Sequence, residues 1–179
     1  MAITKIQSES LNLADTYAFT GTVTGAGGSN TPNFFAFANA DQTINHNTDT
    51  KIAYNTESYD SASAYDTSNY KFVVPSGQGG KYNFTAQILL YDANGNLLGI
   101  RPKIFKNGSM VSEALWDKEV GGTKRFYNYS SNINITLNLS ASDYIEVYVR
   151  GYTNDSGSFI MDGHASEFYT YFTGYKIIE

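Results

Sequence analysis

No cysteine occurs among the 179 residues of this chain. Without thiols the protein cannot form disulfide bonds, use a cysteine nucleophile or hold zinc through sulfur. Histidine is nearly as scarce, because the sequence contains only two. The chain therefore has almost no residues from which to build a cysteine- or histidine-based metal centre or nucleophile–base pair.

Charge is also scarce and is not concentrated anywhere. Charged residues make up 16% of the chain, below the roughly 25% of an average soluble protein. The net charge is -5 and the lysines and arginines are dispersed, so we predict no nucleic-acid partner. No run of eighteen apolar residues occurs and the start "MAITKIQSES" lacks the pattern of a signal peptide, so we predict no membrane insertion.

Catalytic motifs are missing as well. The chain has no nucleophile elbow, no His-Glu-x-x-His, no phosphate loop and no dinucleotide fingerprint. His164 has Asp162, Ser166 and Glu167 nearby in "MDGHASEF", and His46 stands in "INHNTDT". Such Asp-, Gly- and Ser-rich segments are typical of ordinary turns. We therefore predict that the protein is not an enzyme, with no catalytic residues and no cofactor.

One segment has the alternating oxygen ligands of a calcium loop. Asp92, Asn94 and Asn96 alternate in "YDANGNLLG". No bidentate glutamate follows at the expected distance, and Asn94-Gly95 is the usual signal of a tight turn. We predict a turn without a metal site, and calcium near Asp92 is the alternative.

Apolar and polar residues alternate through much of the chain, which predicts half-buried strands. The alternation is regular over residues 81–90, 132–139 and 144–150. The link "SASD" between the last two predicts an antiparallel hairpin, and Asn94-Gly95 predicts another. Residues 109–120 come nearest to helical spacing, but they lead into Gly121-Gly122. The fold class is therefore all-β with antiparallel sheets.

Four groups of landmarks follow one another between residues 35 and 178. They are Phe72, Pro75, Gly80, Tyr82 and Phe84; the Lys-Asn-Gly turn at 106–108; Leu137, Leu139, Asp143, Ile145 and Val147; and Phe172, Gly174 and Tyr175. In this order they resemble the jelly-roll heads of the complement-recognition and tumour necrosis factor superfamily. The resemblance implies an antiparallel jelly-roll β-sandwich over residues 31–179. It also implies threefold assembly, with aromatic residues of one sheet packed along the axis.

The first thirty residues differ in character from this head. They begin with short alternating runs and end in a Gly/Ser/Asn linker. This opening resembles the N-terminal segments of fibre and appendage proteins of tailed bacterial viruses. We predict that residues 1–30 are an attachment arm that binds other virion proteins.

Aromatic residues predict how the chain assembles. There are fifteen tyrosines, and around residues 168–172 both faces of a predicted strand are aromatic, with Phe168 and Phe172 opposite Tyr169 and Tyr171. Exposed tyrosine clusters are typical of subunit interfaces and saccharide-stacking surfaces. The predicted interface of a homotrimer consists of Tyr65, Tyr70, Phe72, Tyr82, Phe84, Tyr169, Tyr171 and Tyr175.

Three functions agree with these observations. The first is a non-enzymatic structural or host-contact head on a virus particle, a homotrimer that can bind a host-surface glycan or protein. The second is a carbohydrate-binding β-sandwich. The third is a secreted, extracellular ligand of the complement or cytokine type. The sequence favours the first, with the virion as its location.

Overall fold

The structure is a computed structural model that describes residues 30–117 and 126–177. These residues form strands, turns and loops, with no helix in the described ranges. Accordingly, this part of the chain contains no helix of the length and hydrophobicity needed to cross a membrane. The predicted attachment arm lies outside the described residues, apart from Asn30.

The described residues form fourteen strands. They are β1 (Asn33–Phe37), β2 (Gln42–Ile44), β3 (Thr50–Lys51), β4 (Thr56–Asp60), β5 (Tyr65–Asp66), β6 (Lys71–Val73), β7 (Gly80–Tyr91), β8 (Leu97–Lys106), β9 (Ser109–Glu113), β10 (Trp116–Asp117), β11 (Asn128–Leu139), β12 (Tyr144–Thr153), β13 (Phe159–Met161) and β14 (Tyr171–Lys176).

The strands form two seven-stranded sheets. Within each sheet, every pairing of neighbouring strands in the described residues is antiparallel. In the first sheet, β7 has β11 along one side and β14 and β13 along the other; β1 and β4 continue from β14, and β2 pairs with β13. In the second sheet the order is β10-β8-β12-β6-β5, with β9 on β8 and β3 on β12. The prediction of an all-β, antiparallel fold is confirmed.

The core fills the space between the two sheets. The alternation of β7 is reproduced in full, because Tyr82, Phe84, Ala86, Ile88 and Leu90 are completely buried. The second sheet contributes the inward face of β12 and Phe72, whose ring stacks on that of Phe34 at 5.1 Å between centroids. Period-two patterning therefore identified the buried faces of β7, β11 and β12 correctly.

Two predicted hairpins are wrong. The link 140–143 joins β11 of the first sheet to β12 of the second, and the turn at Asn94-Gly95 joins β7 of the first sheet to β8 of the second. Both links reverse the chain, but they carry it from one layer of the sandwich to the other. The reason is that turn chemistry fixes a local reversal and does not select the strand that becomes the hydrogen-bonded neighbour. A hairpin does form at Asn107-Gly108, where Lys106 pairs with Ser109.

The last strand begins later than the alternation predicts. β14 starts at Tyr171, so Phe168 lies in the preceding loop instead of sharing the inward face with Phe172. Thr170 is buried there, and its hydroxyl donates to the Asp162 carbonyl. This hydrogen bond holds the loop in position, where the alternation predicts strand pairing.

Candidate functional site

The outer face of the first sheet divides into a polar half and an aromatic half. On β7 and β11 the outward side chains are mainly asparagine, threonine, serine and glutamine. On β1 and β14 they include Phe35, Tyr171 and Tyr175, and β4 adds Tyr59 beside Phe35. The boundary between the halves runs between β7 and β14, which pair along six residues.

The aromatic half carries six residues, which we call the aromatic face: Phe35, Tyr59, Phe168, Tyr169, Tyr171 and Tyr175. Four of them, Phe35, Tyr59, Phe168 and Tyr171, form a connected cluster of rings. Phe35 is at its centre, with centroid distances of 5.2 Å to Tyr171, 5.0 Å to Phe168 and 6.1 Å to Tyr59. Phe168 also covers Phe37 edge-on at 5.0 Å. Even so, Tyr59 is 51% exposed and Phe168 is 47% exposed. The cluster therefore presents a large apolar area on a face that the described residues leave uncovered.

Half of the predicted interface residues are in the core instead. Tyr65, Phe72, Tyr82 and Phe84 are buried between the sheets of a single chain. Their rings pack on one another and on Phe34. For these four the interface assignment is corrected, because side chains enclosed by their own sandwich have no surface to offer another chain.

The other predicted interface residues lie at the surface. Tyr169 and Tyr175 are exposed, and Tyr171 and Tyr70 are half-buried. Three of them belong to the aromatic face, whereas Tyr70 follows β5 in a left-handed conformation. Their part in an interface stays a prediction.

Sequence reasoning missed Phe35, Tyr59 and part of the role of Phe168. The signal that could have found Phe35 is the alternation of "NFFAF" in β1, which sends Phe34 into the core and Phe35 outward. Tyr59 opposes Phe35 on β4, across a register shift between Phe35 and Ala36. That pairing is not visible in the sequence.

The polar half is hydrogen-bonded within itself. Asn134 donates to the Thr85 hydroxyl at 2.6 Å and to the Asn83 side-chain oxygen at 3.1 Å. Asn83 in turn donates to the Thr136 hydroxyl at 3.0 Å. These contacts join β7 to β11 across the surface and leave this half hydrophilic and well ordered.

The outer face of the second sheet carries an ion-pair network that the sequence did not reveal. The Lys103 ammonium lies 2.6 Å from Asp49 and 3.3 Å from Glu113, and Arg150 makes a two-point contact with Asp49 at 2.9 and 2.6 Å. Partial burial acts to raise the pKa of Asp49, but its hydrogen bonds with Arg150 and Lys103 outweigh this and lower it. A separate ion pair, Lys51–Glu146 at 2.5 Å, involves the same sheet. The three cations and three carboxylates of these contacts balance in charge.

The loop after β7 uses its aspartate to hold the chain. The Asp92 carboxylate accepts the backbone N–H groups of Asn94 at 2.8 Å and Asn96 at 3.3 Å. The Asn96 side chain donates to Asp155 at 2.8 Å, which connects this loop to the one after β12. These contacts are those of a braced turn. Among the described residues, no group of three or more acidic or histidine side chains is arranged to hold a metal ion.

The two histidines have structural partners. The His46 Nδ1 accepts the backbone N–H of Thr153 at 3.0 Å, and the His164 Nδ1 accepts that of Ser166 at 3.2 Å. Burial raises the pKa of Asp162, and the charge of Asp41 adds to this against an opposing effect of His164. The cluster around His164 is thus a loop between β13 and β14, bound to the rest of the chain through the Ala38 carbonyl at 3.0 Å.

Comparison with known proteins identifies the fold. No protein-family model matches the chain, and no curated protein sequence matches it. Among solved structures, the chain is similar to the globular domain of zebrafish complement 1qA protein, with 15% identity, a TM-score of 0.50, and 83% of this chain and 98% of that chain covered. It is also similar to the TNF Eiger from S. frugiperda, with 13% identity, a TM-score of 0.54, and 83% and 94% covered. Murine APRIL, from a crystal structure at pH 5.0, gives 10% identity, a TM-score of 0.57, and 82% and 98% covered. The chain has the jelly-roll fold of these complement and TNF domains.

Proposed function

We propose that this chain is a non-catalytic head domain that assembles into a homotrimer through the aromatic face. The observation that carries the proposal is the exposure of that face. Burying a large ring contributes on the order of 2 kcal/mol. Tyr59, Phe168, Tyr169 and Tyr175 are 39–51% exposed, so leaving them partly in water would be a considerable liability for a monomer. A neighbouring copy of the chain would cover them.

A second exposed apolar patch supports this assembly. Met110, Val111 and Leu115 are exposed on and beside β9, and Leu115 is 67% exposed. We call these three residues the apolar edge. β9 pairs with β8, and β8 lies beside the start of β11 through the Leu97–Phe126 bridge. The apolar edge is therefore on the β11 flank of the sandwich, away from β14, β1 and β4.

Two different patches on separate flanks suit a ring. When the aromatic face of one chain packs on the apolar edge of the next, every contact is of the same head-to-tail kind and the rotation closes the assembly. The threefold order comes from the family resemblance. A closed ring also prevents the unlimited fibres that an open head-to-tail contact would produce.

The second part of the proposal concerns where the head acts, either outside the cell as a secreted ligand or on a virus particle. The complement and TNF names among the similar structures favour the secreted-ligand alternative, in which the trimer acts outside the cell. The virus-particle setting is supported by the texture of residues 1–30 alone. Sedimentation distinguishes the two, because a particle component moves with purified particles and a secreted ligand stays in the medium.

Light scattering on the purified chain tests the assembly. We expect a mass three times the 19.7 kDa of one chain, and both Tyr171→Asp on the face and Leu115→Asp on the edge should give folded monomers. Ala141→Asp, an exposed position outside both patches, is the matched control and should remain trimeric. A wild-type monomer at micromolar concentration would overturn the proposal.

Mixing the two variants tests the head-to-tail geometry. Tyr171→Asp retains an intact edge and Leu115→Asp retains an intact face, so an equimolar mixture can form one good interface per pair. We expect a one-to-one dimer that cannot close into a ring. A mixture that stays monomeric would show that the contact is not between these two patches.

The non-catalytic part of the proposal is supported by the contacts of the two histidines. Each ring accepts a backbone N–H, and the buried Thr153 hydroxyl beside His46 donates to the Gly157 carbonyl at 2.8 Å. Incubation with glycans, esters and peptides should show no turnover. Turnover that disappears in His164→Ala would make the loop around His164 an active site.

A further inference from the structure

The two ends of the sandwich differ in what they present. Asn30 and Ile177 lie at the same end, since Lys176 donates to the Pro32 carbonyl at 3.0 Å and Ile177 donates to the Lys81 carbonyl at 2.8 Å. β7 has 12 residues, so its other end is roughly 35 Å away. At that far end lie the loops 92–96 and 154–158 and the start of β11.

A tyrosine ring is held in a fixed position at this far end. Tyr127 lies against Gly95, and a Cβ atom at residue 95 would come within 3.0 Å of its ring. The backbone of Tyr127 is held in place, because the backbone N–H of Asp92 donates to the Tyr127 carbonyl at 2.8 Å. The ring is nevertheless 61% exposed. One side of the Tyr127 ring thus packs against Gly95, where a larger residue would clash with it. The ring still faces solvent.

The two loops beside the Tyr127 ring, residues 92–96 and 154–158, are rigid. Asn154 donates its backbone N–H to the Asn96 carbonyl at 2.9 Å, and the Asn96 side chain donates to Asp155 at 2.8 Å. Asp155 also accepts the backbone N–H of Gly157 at 3.0 Å. The two loops therefore form one braced surface, and a ligand bound there would not have to order them first.

The described part of this surface is rich in amides. Asn94 and Asn154 in the two loops, and Asn128 at the start of β11, are exposed. Tyr91 lies opposite Asn128 on β7 and is partly exposed. The charged groups of the two loops are the carboxylates of Asp92 and Asp155, which disfavour an anionic ligand. Amide groups both donate and accept hydrogen bonds, as the hydroxyl groups of a sugar do.

We propose that this end of the head is a binding site for a neutral saccharide, which we call the Tyr127 site. The Tyr127 ring stacks on the apolar C–H face of a pyranose, and the exposed amides of Asn94 and Asn154 bond to its hydroxyl groups. A rigid aromatic platform with a polar rim gives contact area at a small loss of conformational entropy. The site stands on its own observations and does not require the trimer.

Titration calorimetry with cellohexaose, maltohexaose and chitohexaose as probes tests the proposal on the full chain. At least one probe should bind. Tyr127→Ala should weaken it by about tenfold or more, whereas Tyr127→Phe should keep the affinity within about threefold, because the ring is retained. Tyr59→Ala removes a tyrosine of the aromatic face that is 51% exposed, against 61% for Tyr127, and should leave the affinity unchanged.

NMR locates the site without any substitution. The bound saccharide should shift the backbone amide resonances of Gly95 and Asn96 and leave those of β4 unchanged. Light scattering on Tyr127→Ala should still give the wild-type mass, so failure of this site and failure of the assembly can be told apart. Absence of binding by all three probes, or equal losses in Tyr127→Ala and Tyr59→Ala, would overturn the proposal.

Discussion

The ammonium group of Lys103 lies 2.6 Å from the carboxylate of Asp49, although Lys103 is on the outer face of its sheet and is only 5% exposed. Asp49 is shared with Arg150, so one carboxylate balances two cations. The network therefore depends more on Asp49 than on either cation.

Asp49→Ala should destabilise the domain by about 2–3 kcal/mol, because it leaves a buried ammonium group with only the longer contact to Glu113. Lys103→Met should cost less than about 1 kcal/mol, since Asp49 keeps Arg150 and the methionine fills the same space. Urea unfolding of the two variants measures the difference. Equal losses would mean that the pair acts as a simple two-partner salt bridge.

Asp143 should make the fold sensitive to acid. Its hydrogen bonds with Lys106, Asn107 and the Ser140 backbone lower its pKa from 3.8 to about 2. Because the folded-state pKa is depressed, the stabilisation is complete above the unfolded pKa and is lost as pH falls towards about 2. Asp143→Asn should therefore melt below wild type at pH 6 and approach it near pH 2.

The control for this acid effect is Glu167→Gln, which changes an exposed carboxylate at the opposite end of the sandwich. Its melting temperature should follow that of wild type across the whole pH range. A gap between wild type and Asp143→Asn that stays constant down to pH 2 would contradict the assigned role of the Asp143 charge.

Gly174→Ala should destabilise the domain by about 3 kcal/mol through overpacking. A Cβ atom there would come within 2.5 Å of the Phe84 ring and 2.9 Å of the Phe34 ring, and both rings are fixed in the core. Gly77→Ala is the matched control, because its Cβ would meet nothing within 4 Å. The control should cost only about 1 kcal/mol, from its left-handed φ of +74°. Thermal unfolding measures both.

Tyr54→Phe should leave stability unchanged or raise it by about 1 kcal/mol. The Tyr54 hydroxyl is buried and has no hydrogen-bond partner among the described residues, so removing it also removes an uncompensated desolvation penalty. Tyr65→Phe is the contrasting change. It deletes the 3.0 Å bond to the Tyr54 carbonyl and should cost about 1 kcal/mol. Chemical denaturation that shows the same loss in both variants would indicate a partner for Tyr54.

Deletion of residues 1–30 should leave the melting temperature of the head within a few degrees of that of the full chain. The core cluster of the described part runs from Phe34 to Phe172, which is consistent with an independently folding sandwich. Differential scanning calorimetry compares the two forms. A truncated chain that no longer folds would place the first thirty residues in the core and remove the basis for an attachment arm.

Alternation let the sequence alone determine the fold class and the buried faces of β7, β11 and β12. Period two is a local property, and it placed Ile145, Val147 and Val149 of β12 and the inward residues of β7 in the core. The order of landmarks also indicated the jelly roll. Turn residues marked the chain reversals at Asn94-Gly95 and Asn107-Gly108, because a left-handed backbone is a local requirement.

Only the tertiary structure decided which strands pair and which aromatic residues remain outside. Asn94-Gly95 and "SASD" lead across the sandwich, while Asn107-Gly108 makes a hairpin. Tyr82 is enclosed, whereas Tyr59 is exposed against Phe35 through a register shift. The ion pairs of Asp49 and the packing of the Tyr127 ring against Gly95 likewise join residues far apart in the chain. The physical reason is that alternation separates two faces of a strand, but the packing of the whole sandwich determines which of them is covered.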